Sequence, residues 1–258
     1  MEAALGRVLV EACVDSVESA AAAQAGGAGR VELCDNLLEG GTTPSAGTIA
    51  VARERLTTIP LFVLVRPRGG DFLYGEAELD VMRRDIALAR SLGADGVVTG
   101  ALTPDGEVDV ARTRRLVEHA RPLRVTFHRA FDLTRDPAAA LEAVVESGCD
   151  RVLTSGAAPN ALAGLATIAA LVRQAAGRIV ILAGGGITEE SAARVARETG
   201  VREVHVRGAV RVESAMRFRR PGITVGKPST PDEYARTVTD AARIRAVVEA
   251  VGREAFEE

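Results

Sequence analysis

Val8-Leu9-Val10-Glu11-Ala12-Cys13-Val14-Asp15 is a strand-like stretch, and Arg30-Val31-Glu32-Leu33-Cys34-Asp35 repeats its Glu-x-Cys word. Side chains on a strand point to opposite faces in turn. Val8, Val10, Ala12 and Val14 therefore share one face of the first strand, and Leu9, Glu11, Cys13 and Asp15 share the other. In the second strand Val31 and Leu33 lie opposite Glu32 and Cys34. Each strand has an apolar face and a face that carries an acid below a thiol. In a closed parallel barrel the apolar face meets the outer helices and the Glu/Cys face looks inward. Alone, either cysteine reads as a small core residue, because free cysteine is among the most buried types. The repeated acid–thiol pair favours function for the two together.

Outward from this stretch, short apolar strands alternate with helical segments eight times. The strands start near Val8, Arg30, Leu61, Gly96, Arg124, Arg151, Ile179 and Glu203. Ser16 and Asp136 read as helix N-caps, the latter followed by Pro137 at the first helical position. Gly27, Gly93, Gly148 and Gly200 each precede an even-numbered strand and put a valine four residues on. Such a glycine ends a helix in a left-handed conformation, and the valine enters the sheet. Buried strands, each followed by a helix, imply a parallel sheet covered on both faces. The expected class is α/β: a single-domain (β/α)8 barrel of the TIM type over residues 1–258, close to the usual barrel length of about 250 residues. An open doubly wound sheet is the runner-up, but Val14-Asp15-Ser16 lacks the glycine fingerprint that usually follows its first strand. Residues 209–231 read as an irregular excursion after strand 8, followed by a last helix from about Asp232 to Val251.

Composition narrows the function classes. A net charge of -3 gives no electrostatic case for nucleic acid or an anionic membrane. No apolar run approaches the roughly 20 residues that span a bilayer. The segment Met1-Glu2-Ala3-Ala4-Leu5-Gly6-Arg7 does not read as a secretion signal, and three cysteines argue against a disulfide framework. A cytoplasmic protein is expected. Lys227 is the only lysine among 32 basic residues and lies in the excursion, which discounts Schiff-base chemistry at a strand end.

Chemistry in such barrels sits at the C-terminal ends of the strands. Those ends offer Glu11, Cys13, Glu32 and Cys34, then Arg66 and Arg68, His128 and Arg129, Ser155, Gly184-Gly185-Gly186, and His205. Buried acids need partners. The bland expectation pairs Glu11 and Glu32 with Arg66 and Arg68 as a structural ion network.

The same residues resemble the CutC family of copper-homeostasis proteins over nearly the whole chain. The resemblance lies in Glu11-Ala12-Cys13-Val14-Asp15, Arg30-Val31-Glu32-Leu33-Cys34, Gly40-Gly41-Thr42-Thr43-Pro44-Ser45 and Arg66-Pro67-Arg68-Gly69-Gly70-Asp71-Phe72. It continues in Val125-Thr126-Phe127-His128-Arg129, Leu153-Thr154-Ser155-Gly156, Ala183-Gly184-Gly185-Gly186, Glu203-Val204-His205 and Ser214-Ala215-Met216-Arg217. The resemblance implies a TIM-type barrel, a link to copper tolerance, Cu(I) held by Cys13 and Cys34, and a homo-oligomer. The chain departs from the family pattern at Val206-Arg207-Gly208.

Thiolates are soft ligands that select Cu(I) over hard cations. Adjacent strands bring side chains near enough to share a metal, though inward residues on neighbouring strands are staggered. Glu11 and Glu32 are expected to raise both thiol pKa values. Zinc is less favoured, on the expectation that His128 and His205 lie across the barrel from the cysteines. Cys149 begins strand 6 at the opposite rim and is excluded. No organic cofactor is indicated.

The alternative is an enzyme acting on a small anionic metabolite. Glu11, Glu32, Arg66 and His128 are its candidate catalytic groups, and Arg66, Arg68, Gly185, Gly186 and His205 its candidate anion site. Gly185 and Gly186 are expected just before helix 7, with Glu189 and Glu190 in its first turn. On this reading Arg66 and His128 converge with Glu11 or Glu32 on a metabolite-sized pocket that takes an anion independently of the cysteines. A non-catalytic regulatory barrel is the third reading.

Overall fold

The computed structural model describes residues 8–223, 225 and 232–253. Eight strands, β1 Leu9–Val14, β2 Arg30–Leu33, β3 Leu61–Leu64, β4 Gly96–Thr99, β5 Arg124–Phe127, β6 Arg151–Thr154, β7 Val180–Ile187 and β8 Glu203–Val206, close in sequence order into a parallel barrel. Around them run α1 Val17–Ala25, α2 Ala46–Arg55, α3 Glu76–Ser91, α4 Val110–Ala120, α5 Pro137–Glu146, α6 Leu165–Ala175, α7 Ala192–Thr199 and α8 Ala241–Arg253. Ser16 caps α1 by accepting the Ser19 amide, and Asp136 caps α5 by accepting the Ala138 and Ala139 amides. All four repeat glycines adopt the left-handed conformation, with φ between 75° and 88°. The helix-to-strand punctuation read from the sequence is therefore a backbone requirement at those positions.

The two faces of each strand divide the molecule as alternation requires. Val10, Ala12, Val14, Val31 and Leu33 belong to the large core between barrel and helices. Inside the barrel a separate small cluster holds Cys34, Phe62, Leu64 and Val98, with Cys13 packed against it. No helix among the described residues is long and apolar enough to cross a membrane.

The excursion after β8 is more regular than expected. Ala209–Glu213 forms β9, which pairs antiparallel with β10, Ala235–Thr239. The last helix consequently begins at Ala241, not near Asp232. The reason is local. Asp240 accepts the Arg243 amide at 2.9 Å as an N-cap does, whereas Asp232 accepts the Tyr234 amide in a turn that leads into β10. Lys227 lies outside the described residues, as do residue 224 and residues 226–231 of the excursion. Helix α7 also starts late. Glu189 precedes it and pairs with Arg243 of α8 at 3.1 Å, so it does not sit in the first helical turn.

Inside the barrel the fold depends on a missing side chain. Phe62 of β3 is in register with Gly96 of β4. A Cβ on Gly96 would lie 2.5 to 2.6 Å from three atoms of the Phe62 ring. That ring is flanked by the guanidinium groups of Arg30 and Arg151, 5.0 and 5.6 Å from its centroid. Gly96→Ala is expected to cost about 1–3 kcal/mol as the ring and its flanking charges shift. Urea denaturation measures this, and an unchanged midpoint would show that the ring has room to move.

Candidate functional site

Closure of the barrel decides which polar groups meet. β1 pairs with β2 on one side and with β8 on the other, so Cys13 lies opposite Glu32 and Glu11 opposite His205. The expectation that His205 faces the cysteines from across the barrel is therefore wrong. In a closed barrel the last strand is the neighbour of the first, and His205 stands beside the thiols.

Glu11 is 1% exposed. It accepts a hydrogen bond from Arg30 Nε and shares another with His205 Nδ1 at 2.7 Å. Arg30 also binds Glu203 at 2.5 Å, and Arg151 binds the same carboxylate at 2.6 Å. A chain of four charges, Glu11–Arg30–Glu203–Arg151, thus crosses the lumen below the thiols. The expected partners, Arg66 and Arg68, take no part in it. Sequence reasoning passed over Arg30, yet the signal was present. On a strand of period two, Arg30 shares the inward face with Glu32 and Cys34.

The sulfurs of Cys13 and Cys34 are 3.8 Å apart. Cys34 lies just past the end of β2, where its amide donates to the Val14 carbonyl at 2.8 Å. The stagger between strands turns the thiol pair into a diagonal and does not prevent contact. Cys13 is part-exposed and Cys34 is 2% exposed. The ligating atoms of Cys13, Glu32 and His205 all lie within 4.8 Å of one another. Cys149 is buried elsewhere, with its thiol pushed up to about 12 by desolvation.

Charge in this cluster is strongly arranged. Burial alone would raise the Glu11 pKa, but Arg30 and the His205 hydrogen bond hold it at about 2. Burial likewise works against charge on His205, yet hydrogen bonds with Cys13 and Glu11 lift its pKa well above the ordinary imidazole value. The contact with the Cys34 thiol, against the cost of burial, lowers Cys13 to about 5, with His205 contributing a further hydrogen bond. Cys34, its partner in that contact, is raised well above the usual thiol range, and burial adds to the rise. Glu32 is also raised, by burial first and then by the negative charge on Cys13. These shifts favour negative charge on Cys13 and positive charge on His205, and disfavour charge on Glu32 and Cys34. The expected upward push on both thiols holds for Cys34 and fails for Cys13.

Cys13, Glu32, Cys34 and His205 line a cavity of about 80 Å³, together with Arg66, Phe72, His128 and Arg129 from the other side. Arg66 is caged by backbone. Its Nη1 donates to the carbonyls of Glu39 and Gly41, and Nη2 to that of Gly70, at 2.7 to 2.8 Å. His128 is 4% exposed and stacks near Phe72, with ring centroids 4.7 Å apart. Arg66 and His128 thus converge with Glu32, while Glu11 lies among its cations and does not line the cavity. The space suits a head group and not a whole metabolite. Arg68 points away from it, pairing with Glu78 at 2.5 Å and Asp71 at 3.0 Å. Gly185 and Gly186 belong to β7 and do not cap α7. Gly185 has φ of 100° and its carbonyl accepts the Ala161 amide.

Two outcomes follow from the buried charges. Arg30→Leu leaves the Glu11 carboxylate without its main cation and is expected to cost about 3–5 kcal/mol in urea denaturation. Adding Glu11→Gln to the same chain should recover part of that loss, and no recovery would mean that packing of Arg30 is the cause. The second outcome concerns pH. Glu11 falls from an ordinary 4.5 to about 2 on folding, so its ion set stabilises the fold fully above pH 4.5. That contribution is lost as pH falls toward 2. The stability of Glu11→Gln, relative to the parent chain, should therefore improve between those pH values, as read from denaturation curves in matched buffers.

Comparison with known proteins shows the family of the chain. The model of the CutC family matches residues 8–210. A CutC family protein of Chromobacterium violaceum is 52% identical over 245 residues, covering 95% of this chain and 98% of its own length. The copper homeostasis protein cutC homolog of Mus musculus is 51% identical over 237 residues, covering 92% of this chain and 87% of its own. The crystal structure of a CutC copper homeostasis protein from Streptococcus agalactiae matches with a TM-score of 0.74 at 36% identity, over 77% of this chain and 97% of that one. With its eight-stranded barrel and its two inward Glu-x-Cys words, the chain belongs to the CutC family of copper homeostasis proteins.

Proposed function

We propose that the chain binds one Cu(I) as cargo through Cys13 and Cys34, with His205 as a third ligand, in the reducing setting of the cytoplasm. The observation that carries this reading is the 3.8 Å separation of the two sulfurs at a cavity that solvent reaches. On a metal–thiolate scale of ~2.3 Å, a linear two-coordinate ion needs sulfurs about 4.6 Å apart, and a trigonal one about 4.0 Å. The observed spacing is nearer the trigonal value, which leaves room for a third donor. Two thiolates and an imidazole form a soft set that favours Cu(I) over Mg²⁺ or Ca²⁺.

The surroundings support the assignment. His205 directs Nδ1 at Glu11, so Nε2 is the nitrogen turned toward Cys13 and Glu32. A carboxylate that fixes the outer nitrogen of a ligating histidine is a recurrent support for metal sites. Cys13 is already poised as a thiolate, so the cargo has to displace protons only from Cys34 and from His205.

Reduced protein is expected to bind one equivalent of Cu(I) in competition titrations against a chromophoric chelator, and excess Mg²⁺ should not displace it. Cys13→Ser combined with Cys34→Ser should abolish binding. Glu11→Gln should weaken it by roughly 10- to 100-fold through loss of His205 orientation. Unchanged affinity in the double serine variant would overturn the assignment.

A further inference from the structure

We infer that the wall of the cavity opposite the thiols is an anion seat, in which His128, Arg129 and Arg66 hold a single carboxylate or phosphate group of a small metabolite. This inference is independent of the copper reading, because β5 stands across the barrel from β1 and the groups involved are not the thiols.

His128 is the first support. Its Nδ1 accepts the Ala130 amide, so the ring proton belongs on Nε2. Nε2 is buried and has no hydrogen-bond partner among the described residues. A buried donor left unpaired costs about 1–3 kcal/mol, so an acceptor arriving in the cavity regains that energy. Burial, reinforced by the nearby Arg66 charge, drives the imidazole pKa down to about 3. The ring therefore stays neutral at physiological pH and Nε2 stays a donor.

Arg66 is the second. It is 5% exposed, and its three hydrogen bonds all go to carbonyl dipoles. Among the described residues it forms no ion pair, and its Nε is buried without a partner. For a guanidinium held by carbonyl dipoles in a poorly solvated place, an anion is the natural counterpart.

Arg129 is the third. Asp132 and Ser155 fix its Nε and Nη2 at 2.7 and 2.9 Å. Asp132 is itself saturated by the Thr154 hydroxyl and by the amides of Ser155 and Ala157. These bonds aim the guanidinium while leaving Nη1 without a hydrogen bond among the described residues. Gly185 packs beside it, and a Cβ there would lie 3.0 Å from the Cβ of Ser155, the residue that holds Arg129 Nη2. The acids lie away from this wall: Glu11 pairs with Arg30 and His205 and does not line the cavity, and Glu32 sits on β2 in register with Cys13. The space of about 80 Å³ admits one head group, with the rest of the molecule left toward the mouth.

The test uses the full, metal-free chain and two probes, inorganic phosphate and succinate, titrated separately by calorimetry. Saturable binding of at least one is expected, and which one binds identifies the head group. His128→Phe keeps the ring stack but removes the donor, and Arg129→Met keeps much of the stem. Each should weaken binding by roughly 10- to 100-fold, the range for hydrogen bonds to charged groups. The Cys13→Ser, Cys34→Ser double variant should bind the anion as the parent does, even though it no longer takes Cu(I). If Arg129→Met fails to fold, the His128 ring nitrogen signal in NMR of the parent chain supplies a second readout, since Nε2 should shift on saturation. No saturable binding of either probe, or equal binding in both wall variants, would overturn the seat. So would loss of binding in the double serine variant, which would place the anion on the thiol side.

Discussion

A single buried carboxylate constrains the interior of this barrel. Glu11 has no water to solvate it, so its charge survives only if cations surround it. Arg30 meets it from β2 and His205 from β8, the two strands that flank β1. Arg30 in turn requires Glu203, and Glu203 requires Arg151, which spreads the compensation around the lumen. Phe62 fills the space between the two guanidinium groups, and Gly96 must lack a side chain so that it can. The floor of the site is thus a set of mutually dependent groups, in which no member can be altered without exposing another.

What stands on that floor follows from it. Glu11 favours charge on His205, and the hydrogen bonds with Cys34 and then His205 pull the Cys13 thiol down to about 5. Glu32 is shifted the opposite way, its carboxyl pushed well above the usual range by burial and then by the Cys13 charge. Two copies of one short sequence word therefore perform different tasks. In the first, the surroundings pull both acid and thiol below their ordinary pKa, and in the second they push both above it. The difference lies in which strand has a cationic neighbour on each side.

Much of this was legible in the sequence, and the misses have physical reasons. The glycine punctuation and the period-two alternation yield the barrel and the inward Glu/Cys face, because both rest on local backbone and solvation rules. Arg30 obeyed the same alternation and was readable in principle. The place of His205 was implied by closure itself, since the eighth strand of a barrel must pair with the first. The carbonyl cage of Arg66 is different. It depends on how the loops carrying Glu39, Gly41 and Gly70 fold back over one guanidinium, and no spacing rule encodes that path. The β9–β10 ribbon was obscured for a similar reason, because Ala235–Thr239 acquires its strand character only through pairing with Ala209–Glu213.

The contacts of the thiol site differ greatly in their separation along the chain. Cys13 on β1 and Cys34 just past β2 are 21 residues apart, whereas Glu11 and His205 are 194 residues apart. The sulfur pair needs only the first βαβ unit, but the imidazole arrives when the seam between first and last strands is sewn. A chain emerging from the ribosome therefore completes the segments that carry the two sulfurs early, and the strand that carries His205 last of the barrel strands. Until then Glu11 has Arg30 alone for company. On the proposed copper reading, an ion held by both sulfurs and His205 would bridge that seam, and its loading would resist the opening of the barrel along the line where the first and last barrel strands meet.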